Sequence, residues 1–492
     1  MDARDETDVL IIGGGLAGLT VGGRAIIEGL SAVILEKGED EDYLCNSRIA
    51  TGAFNLAHCD PTSDPSFLRD AIFADTEGYA DPSLAAAIAA VAGEAMRWLR
   101  SEGAKFIRVQ ELDNQSKWSM APPRPARPAS FLVRDTWKGR GPDQTLRCLM
   151  KNFKDRGGRF HLGTRAQRLL FEGGRCAGAE AVHKGQVVVY RARNVVIADG
   201  GFQANSELVR RFIGPCPEQF TQRNARSGTG DGLLMAEAAG AGLTGCDRFY
   251  GHLQARESAT NDALWPYPTL DTLSSSAIVI DRSGRRFLDE GIGGVPMANA
   301  IARLEDPLCA TTIFDQPLWE TVGRLEHIPP NPLLADYGGT VSSANSLQQL
   351  AEMIDVPAPA LAETVRHYNA AVASGELAKL DPPRTPGRMF GTLRSLPRRI
   401  AVAPVSKPPF HAIRLCPGIT YTMGGLAINE RAQALDKSGK PMPGLFAAGS
   451  CTGGLEGGPM SGYIGGLNKA LALGFIAARS IRADAQGRRP NS

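Results

Sequence analysis

The sequence lacks the signals of several large protein classes. Its nine cysteines are odd in number and form no CxxC pair, which is typical of reduced thiols and indicates a cytoplasmic protein. It has no excess of one charge, because 54 lysines and arginines face 52 aspartates and glutamates, and this balance argues against a nucleic-acid partner. Apart from His252, the histidines show no paired ligand spacing, so no metal site is expected.

Long apolar runs are also scarce. The opening residues, MDARDETDVLIIGGG, are acidic and reach glycines after a few apolar positions, which is unlike a secretion signal, so we expect none. The most apolar late segment, GYIGGLNKALALGFIAARSI, carries Lys469 in its interior and Arg479 near its end. These charges predict a buried helix and no membrane span.

Glycine, in contrast, is abundant. Its 56 residues cluster in short runs, which indicates backbone that lies close to a ligand. A chain of 492 residues is also too long for one ordinary core, so two domains are expected.

The strongest local signal is a strand, turn, helix and strand at residues 8–38, DVLIIGGGLAGLTVGGRAIIEGLSAVILEKG. Gly13, Gly15 and Gly18 occupy the positions of a GxGxxG turn, where glycine allows a tight turn, a close pyrophosphate and a packed helix. The positive end of the following helix would face the phosphates. Glu36 ends the second strand, where a carboxylate can accept both ribose hydroxyls. The segment therefore predicts a dinucleotide site.

Two later segments repeat the change from apolar strand to glycine turn. They are NVVIADGGFQAN at 194–205 and GLFAAGSCTGGLEGG at 444–458. Because the three turns are spread over the whole chain, we expect one ligand-binding domain assembled from distant segments, with a second domain inserted between them.

Seven motifs in this order resemble one known family, the flavoproteins of the fumarate reductase and succinate dehydrogenase class, which includes the 3-ketosteroid dehydrogenases. The motifs are the GxGxxG turn with Glu36, NSRIATGAFN (46–55), ADGGF (198–202), SGTGDG (227–232), GRRFLDE (284–290), TMGG (422–425) and GLFAAGSCTGG (444–454). The resemblance covers nearly the full chain and is closest to the ketosteroid dehydrogenase-like branch.

The resemblance implies an α/β fold in which a discontinuous Rossmann-like FAD-binding domain of the GR2 type carries an inserted α+β capping domain. The FAD-binding domain would comprise 1–246 and 409–492, and the cap 247–408. The implied reaction is hydride exchange between a substrate carbon and flavin N5, which makes or reduces a C=C bond beside an electron-withdrawing group. The residues implied to bind FAD are Gly13, Gly15, Gly18, Glu36, Asn46, Ser47, Thr51, Gly52, Asp199, Gly200, Asp231, Gly449, Ser450 and Gly465.

The resemblance also bears on how FAD is held. Membrane-bound members bind FAD covalently through a histidine, and Asn46 stands at that position here. His58 is too far downstream to replace it. Non-covalent FAD is therefore expected.

Three substrate positions depart from the family. Fumarate reductases hold a dicarboxylate with arginines, but Gly294 and Tyr463 stand at the two arginine positions. Tyr421 replaces a substrate-binding histidine before TMGG. These changes make succinate or fumarate an unsuitable substrate and favour a ketone.

Tyr421, Tyr463 and His252 are the predicted catalytic residues. A tyrosine can donate a hydrogen bond to a carbonyl oxygen or, as phenolate, accept a proton from the adjacent carbon, although its ordinary pKa near 10 means that it needs help. His252 is retained at a family acid/base position and can orient a carbonyl or relay a proton. Tyr250 lies two residues away and would share its face on an extended segment.

The interpretation is an FAD-dependent oxidoreductase acting on CH–CH bonds, with α,β-dehydrogenation of a cyclic ketone or ketosteroid-like substrate as the leading function. The alternative is an ene-reductase or a dehydrogenase of a ring or tricarboxylic acid, and a flavin-bearing binding protein without turnover is a third reading. Because no CxxCH haem motif occurs, electrons would pass to a quinone or a separate carrier. An inward-pointing Arg124, Arg127 or Arg134 would favour a carboxylate substrate. Glu290 is interpreted as a structural carboxylate of the cap.

Overall fold

The computed structural model describes residues 6–110, 116–123, 137–325, 328–388, 399–400 and 402–487. The helices are α1 (Leu16–Ile27), α2 (Asn46–Ile49), α3 (Pro65–Thr76), α4 (Pro82–Ser101), α5 (Gly141–Asp155), α6 (Ser206–Phe212), α7 (Asp231–Ala238), α8 (Asp271–Ser276), α9 (Gly294–Ile301), α10 (Gln316–Glu320), α11 (Pro330–Asp336), α12 (Leu347–Ile354), α13 (Ala358–Ser374) and α14 (Gly466–Gly487).

The strands are β1 (Thr7–Ile12), β2 (Ala32–Leu35), β3 (Ala53–Phe54), β4 (Phe106–Gln110), β5 (Ser116–Met120), β6 (Arg159–His161), β7 (Thr164–Glu172), β8 (Arg175–His183), β9 (Gln186–Ile197), β10 (Thr221–Gln222), β11 (Leu243–Thr244), β12 (Phe249–Ala255), β13 (Ile278–Ile280), β14 (Thr311–Asp315), β15 (Ser342–Ala344), β16 (Gly387–Arg388), β17 (Arg399–Ile400), β18 (Phe410–Thr422), β19 (Gly425–Leu426), β20 (Gln433–Leu435) and β21 (Pro441–Ala447).

The first sheet has the strand order β20-β21-β9-β1-β2-β6. Strands β21, β9, β1, β2 and β6 run parallel to one another, whereas β20 is antiparallel to β21. The central strand β1 is apolar over residues 9–12, as expected where helices cover both faces of a parallel sheet, and Val9, Leu10 and Ile11 are fully buried. β7 and β8 extend from β9 as an antiparallel meander.

Local sequence explains where the covering helices begin. Helix α4 starts at Pro82, which suits the first helical position, and the Asp81 side chain accepts hydrogen bonds from the backbone N–H groups of Ser83 and Leu84. Helix α14 packs against α1 and α4. This is the buried helix predicted from the late apolar segment. No helix in the described part of the chain combines the length and apolarity that crossing a bilayer requires.

The second sheet is built around the long strand β18, with the order β10-β18-β14-β13 and with β12 and β15 also pairing with β18. β10 is parallel to β18, whereas β12, β14 and β15 are antiparallel to it. β18 begins at Phe410, after the expected end of the cap at 408, whereas the strands that pair with it all lie before that limit. The domain limits themselves stay a prediction.

Each sheet has its own hydrophobic core. The first core gathers the parallel sheet with α1, α4, α5 and α14. The second gathers the second sheet with α9, α12 and α13. This agrees with the expectation of an α/β fold with two cores assembled from interleaved segments.

Candidate functional site

The first glycine turn joins β1 to α1. Gly13 has φ +108, in the left-handed region that favours glycine. A Cβ added at Gly18 would lie 1.9 Å from the carbonyl oxygen of Gly13, so helix and turn pack too closely for any other residue. Gly15 precedes the first turn of α1, where a Cβ would approach only Ser47 Oγ, at 3.6 Å. The turn thus leaves its outer side open at a helix N-terminus.

Glu36 fixes this turn from the end of β2. Its Oε2 accepts a hydrogen bond from the Gly14 N–H at 2.8 Å, and its Oε1 accepts one from the Gly38 N–H at 2.8 Å. A carboxylate has lone pairs left after these two bonds, so the buried side chain could still accept ribose hydroxyls.

The NSRIATGAFN segment lies beside the same turn. Ser47 Oγ accepts a hydrogen bond from the Leu16 N–H at 3.2 Å. Asn46 joins two other segments, because its Nδ2 donates to the Thr420 carbonyl at 2.9 Å and its Oδ1 accepts from the Ala225 N–H at 2.9 Å. Further along the segment, Thr51 is exposed and Gly52 has φ +92.

The turn after β9 contains Asp199 and Gly200. Asp199 Oδ2 accepts a hydrogen bond from the Gly232 N–H at 2.7 Å, while its buried Oδ1 has no partner among the described residues. Burial raises the pKa of Asp199 to about 6. Gly200 has φ +87, and a Cβ there would meet nothing within 4 Å, so open space lies next to it.

Asp231 has a different environment from the other predicted FAD residues. Its carboxylate forms ion pairs with Arg165 at 2.7 Å and with Lys37 at 3.3 Å. The Arg165 hydrogen bond is the largest of the effects that lower the pKa of Asp231, and together they outweigh burial. The protein's own cations therefore already engage this carboxylate.

The third glycine turn follows β21. Gly449 has φ +86 and a Cβ there would approach Ala17 in α1 to 3.1 Å, and Ser450 comes next. Gly465, with φ +104, precedes α14, and a Cβ there would lie 2.3 Å from the Asn55 carbonyl oxygen.

The three turns meet at one edge of the first sheet, because β21, β9 and β1 are parallel neighbours and each turn follows the carboxyl end of its strand. Dinucleotides bind at this edge of such sheets. The open helix N-terminus, the unpartnered Asp199 Oδ1 and the space beside Gly200 fit FAD. The contact that each residue makes with the cofactor stays a prediction.

Three tyrosines form a stack between the two cores. The rings of Tyr250 and Tyr463 are stacked with centroids 4.2 Å apart, and the Tyr421 ring centroid lies 5.3 Å from that of Tyr250. Tyr250 comes from β12, Tyr421 from the end of β18, and Tyr463 from the turn before α14. The structure thus brings the two predicted tyrosines together and adds a third.

A histidine and a carboxylate continue from Tyr250. His252 Nε2 lies 3.1 Å from the Tyr250 hydroxyl, and His252 Nδ1 lies 2.6 Å from Asp271 Oδ2. The other carboxylate oxygen, Asp271 Oδ1, accepts a hydrogen bond from the Leu253 N–H at 2.8 Å. A carboxylate only accepts, so Nδ1 carries the proton and Nε2 is left to accept from the phenol. We name Asp271, His252 and Tyr250 the relay.

Asp271 also explains one departure from the family. A Cβ added at Gly294 would lie 1.9 Å from Asp271 Cγ, so the carboxylate fills the space that a side chain at 294 would need. Sequence reasoning missed Asp271. Its position as the first residue of α8 gave no local sign that it reaches His252.

Burial sets the protonation of the relay. It lowers the pKa of His252 below its ordinary value, although Asp271 opposes this, so the imidazole is neutral at neutral pH. Burial also raises the pKa of Tyr250 well above its ordinary value, with the nearby Tyr463 as a second cause. The resting relay therefore consists of a phenol, a neutral imidazole and a carboxylate.

Tyr421 is committed to a different partner. Its hydroxyl donates a 2.8 Å hydrogen bond to Glu456 Oε1, which also accepts from the Ile464 N–H. Lys469 Nζ lies 3.2 Å from Glu456 Oε2, and both side chains are fully buried. Burial, then the Glu456 charge, raises the pKa of Tyr421 well above its ordinary value. This opposes the predicted role of Tyr421 as a phenolate base.

Tyr463 keeps its proton as well, since burial raises its pKa above the ordinary value. The Gly466 backbone hydrogen bonds to this tyrosine, which opposes the rise. No acceptor for the Tyr463 hydroxyl proton occurs within the residues that the structure covers, so this O–H can donate to a ligand.

Two remaining interpretations concern arginines and a carboxylate. Glu290 is fully buried in an ion pair with Arg286 at 2.7 Å, which supports a structural role. The arginines of the proline-rich loop, Arg124, Arg127 and Arg134, lie outside the described residues.

Comparisons with known proteins identify the family of this chain. Residues 8–462 match the family model described as FAD binding domain. The chain is 28% identical to a probable fumarate reductase, Ifc3, of Shewanella frigidimarina over 463 residues, covering 92% of this chain and 71% of that protein. It is also 28% identical to a 4-oxocyclohexanecarboxylate 2-dehydrogenase of Sinomonas cyclohexanicum over 428 residues, covering 83% and 71%. It spans only 48% of an NADH:fumarate oxidoreductase of Klebsiella pneumoniae, to which it is 27% identical over 492 residues.

A solved structure supports the fold. The 3-ketosteroid delta1-dehydrogenase from Sterolibacterium denitrificans superposes with a TM-score of 0.71 at 19% sequence identity, over 98% of this chain and 100% of that one. Because the family model matches most of the chain and the three glycine turns meet at one sheet edge, the chain belongs to the FAD binding domain family and is an FAD-dependent oxidoreductase.

Proposed function

We propose that this protein catalyses the α,β-dehydrogenation of a cyclic ketone or ketosteroid-like substrate. The observation that carries the proposal is the relay, in which a buried phenol is joined through a neutral histidine to a carboxylate at 3.1 Å and 2.6 Å. Such a chain can take up one proton without leaving a buried charge unpaired.

The relay removes the proton next to the ketone. As Tyr250 Oη accepts the proton from the α-carbon, its own proton passes to His252 Nε2, and the imidazolium that forms is stabilised by Asp271. The tyrosine thus acts as a base without existing as a free phenolate, which its raised pKa disfavours. This role differs from the one expected for Tyr421, whose proton is held by Glu456.

Tyr463 is proposed to polarise the substrate carbonyl. Its ring stacks on that of Tyr250, the proposed proton acceptor, with the ring centroids 4.2 Å apart. A hydroxyl donor that is fixed by packing stabilises the charge that develops on the carbonyl oxygen. The Tyr421 ring packs against Tyr250 with centroids 5.3 Å apart, and this contact is proposed to hold the Tyr250 ring in place.

The hydride that leaves the β-carbon would be accepted by bound FAD. The electrons would then pass to a quinone or a separate carrier. This reaction at a CH–CH bond is consistent with two relatives, one a 4-oxocyclohexanecarboxylate 2-dehydrogenase and the other a probable fumarate reductase. The alternative, an ene-reductase or a dehydrogenase of a ring or tricarboxylic acid, uses the same parts in reverse or with another substrate.

The test is an anaerobic screen of flavin reduction. The purified protein is mixed without oxygen with saturated ketones (cyclohexanone and a 3-ketosteroid) or with saturated acids that lack a ketone (succinate and cyclohexanecarboxylate). We expect the ketones to bleach the oxidised flavin absorbance, because a ketone acidifies the adjacent α C–H bond far more than a carboxylate does. Bleaching by the acids alone would contradict the proposal, and bleaching by none of them would favour a binding protein.

Non-covalent attachment of FAD is a separate prediction. Asn46 has no nucleophilic imidazole, and both ends of its amide are bonded to backbone. Acid precipitation should therefore leave the yellow FAD in the supernatant. Absorbance that stays with the protein pellet would show a covalent bond and refute the assignment.

A further inference from the structure

Arg223 is a buried cation that forms no ion pair with any described residue. Its Nη1 donates to Thr420 Oγ1 at 2.9 Å and its Nη2 donates to the Pro266 carbonyl at 3.1 Å, both of them neutral acceptors. Its Nε has no acceptor, and no aspartate or glutamate pairs with it, among the residues that the structure describes. Arg223 is only 7% exposed, so its guanidinium lies largely out of bulk solvent.

The arginine lies on the face of the second sheet that carries the relay. A Cβ at Gly418 would lie 2.4 Å from Arg223 Cδ, so the arginine stem crosses the sheet over this glycine. Gly418 pairs directly with His252 in the ladder between β12 and β18, and opposed residues of an antiparallel ladder place their side chains on the same face. Arg223 and His252 are therefore neighbours on one face.

A buried guanidinium without a counterion favours the binding of an anion. Removing a charge from water without a counterion is costly, and Asp271, the carboxylate of the relay, is already bonded to His252 and to the Leu253 N–H. Only two of the five N–H donors of Arg223 have acceptors among the described residues. The remaining planar donors match a carboxylate in geometry and in charge.

We propose that Arg223 binds a carboxylate group of the substrate, which makes the substrate a cyclic ketone that carries a ring carboxylate. The inference rests on the proposed function for the ketone part alone. The anion would be held from the strand side, next to the relay, and not from positions 294 and 463, where the resemblance places arginines and this chain has glycine and tyrosine.

Two matched substrates test the proposal in the FAD-loaded enzyme: 4-oxocyclohexanecarboxylate and its uncharged methyl ester. Arg223→Gln is expected to raise KM for the acid by about 30-fold or more, because it removes the charged partner of a buried pair. The kinetic constants for the ester should change less than about threefold. An equal loss on both substrates would assign Arg223 to the relay, and unchanged constants for the acid would remove it from the site, so either result overturns the proposal.

A conservative variant and a binding measurement complete the test. Arg223→Lys keeps the charge but loses the planar fork, so we expect a smaller, still acid-selective rise in KM. This variant carries the kinetic test if Arg223→Gln fails to retain FAD, and a loss that does not discriminate between acid and ester contradicts the proposal.

Binding of cyclohexanecarboxylate, which has no ketone, is followed by calorimetry and by its shift of the flavin spectrum. Binding to the wild-type protein that weakens at least about tenfold in Arg223→Lys supports the anion site even if no ketone is oxidised. If this binding is found and no ketone reduces the flavin, the proposed function is rejected and the inference about Arg223 stands. Absence of binding to the wild-type protein would reject the inference.

Discussion

Replacing Tyr250 with phenylalanine should slow anaerobic flavin reduction by a cyclic ketone about a thousandfold. The change removes the hydroxyl that lies 3.1 Å from His252 Nε2 but keeps the ring that stacks on Tyr463. Positioned proton transfer contributes roughly 100-fold to 10,000-fold to a rate, and the phenylalanine ring cannot accept a proton. Stopped-flow bleaching of the flavin at saturating ketone measures the effect.

A matched control for this variant exists outside the site. Tyr190 also pairs with a histidine, its hydroxyl lying 2.9 Å from His161 Nδ1, but it belongs to the meander. Tyr190→Phe should leave the bleaching rate unchanged. Tyr421→Phe should slow the reaction less than Tyr250→Phe, because its proton is held by Glu456. A reversed order would return the role of base to Tyr421.

Replacing Lys469 with methionine should destabilise the protein by about 3–5 kcal/mol, the usual cost of leaving one member of a buried ion pair alone. Lys469 Nζ lies 3.2 Å from Glu456 Oε2 and also donates to the Thr452 carbonyl at 3.0 Å, and both charged side chains are fully buried. The variant would leave the buried Glu456 carboxylate next to Tyr421 without a counterion. Chemical denaturation with the flavin bound gives the free energy of unfolding.

Two further variants make this result specific. Adding Glu456→Gln to Lys469→Met should recover much of the loss, because the double variant no longer contains a buried charge at this point. Lys151→Met removes the exposed lysine that pairs with Asp155, and its unfolding curve should match that of the wild type. Equal effects of the buried and exposed lysine variants would contradict the stabilising role of the buried pair.

Sequence reasoning located the parts of the fold that depend on local patterns. The structure confirms the apolar run at β1, the glycine turn at Gly13 and the helix that follows. These features could be predicted because a strand buried on both faces requires apolar residues and a positive φ favours glycine. The proximity of Tyr250 to His252 followed from the two-residue period of a strand and is also confirmed. The family and its cofactor were predicted from seven motifs in order.

The parts that sequence reasoning missed depend on contacts between distant segments. Asp271 reaches His252 only because α8 packs under β12, and Glu456 meets Lys469 only through the fold of the last turn. Lys469 was read as a charge that interrupts an apolar segment, since nothing nearby in sequence named its partner. Likewise, β18 begins at Phe410, beyond the expected limit at 408, yet it pairs in the second sheet with β12, β14 and β15, which all precede that limit.

The ladder between β12 and β18 has a mechanical consequence. Tyr250 and Tyr421 are directly opposed in this ladder, so a movement of the second sheet relative to the first would move both residues together. Tyr463 and Glu456 lie instead in the loop before α14, and both this loop and α14 pack in the first core with the parallel sheet. A larger distance between the two cores would therefore separate Tyr463 from Tyr250 and break the hydrogen bond from Tyr421 to Glu456 at the same time. The proposed proton acceptor and the proposed carbonyl donor would then be too far apart to act on one substrate.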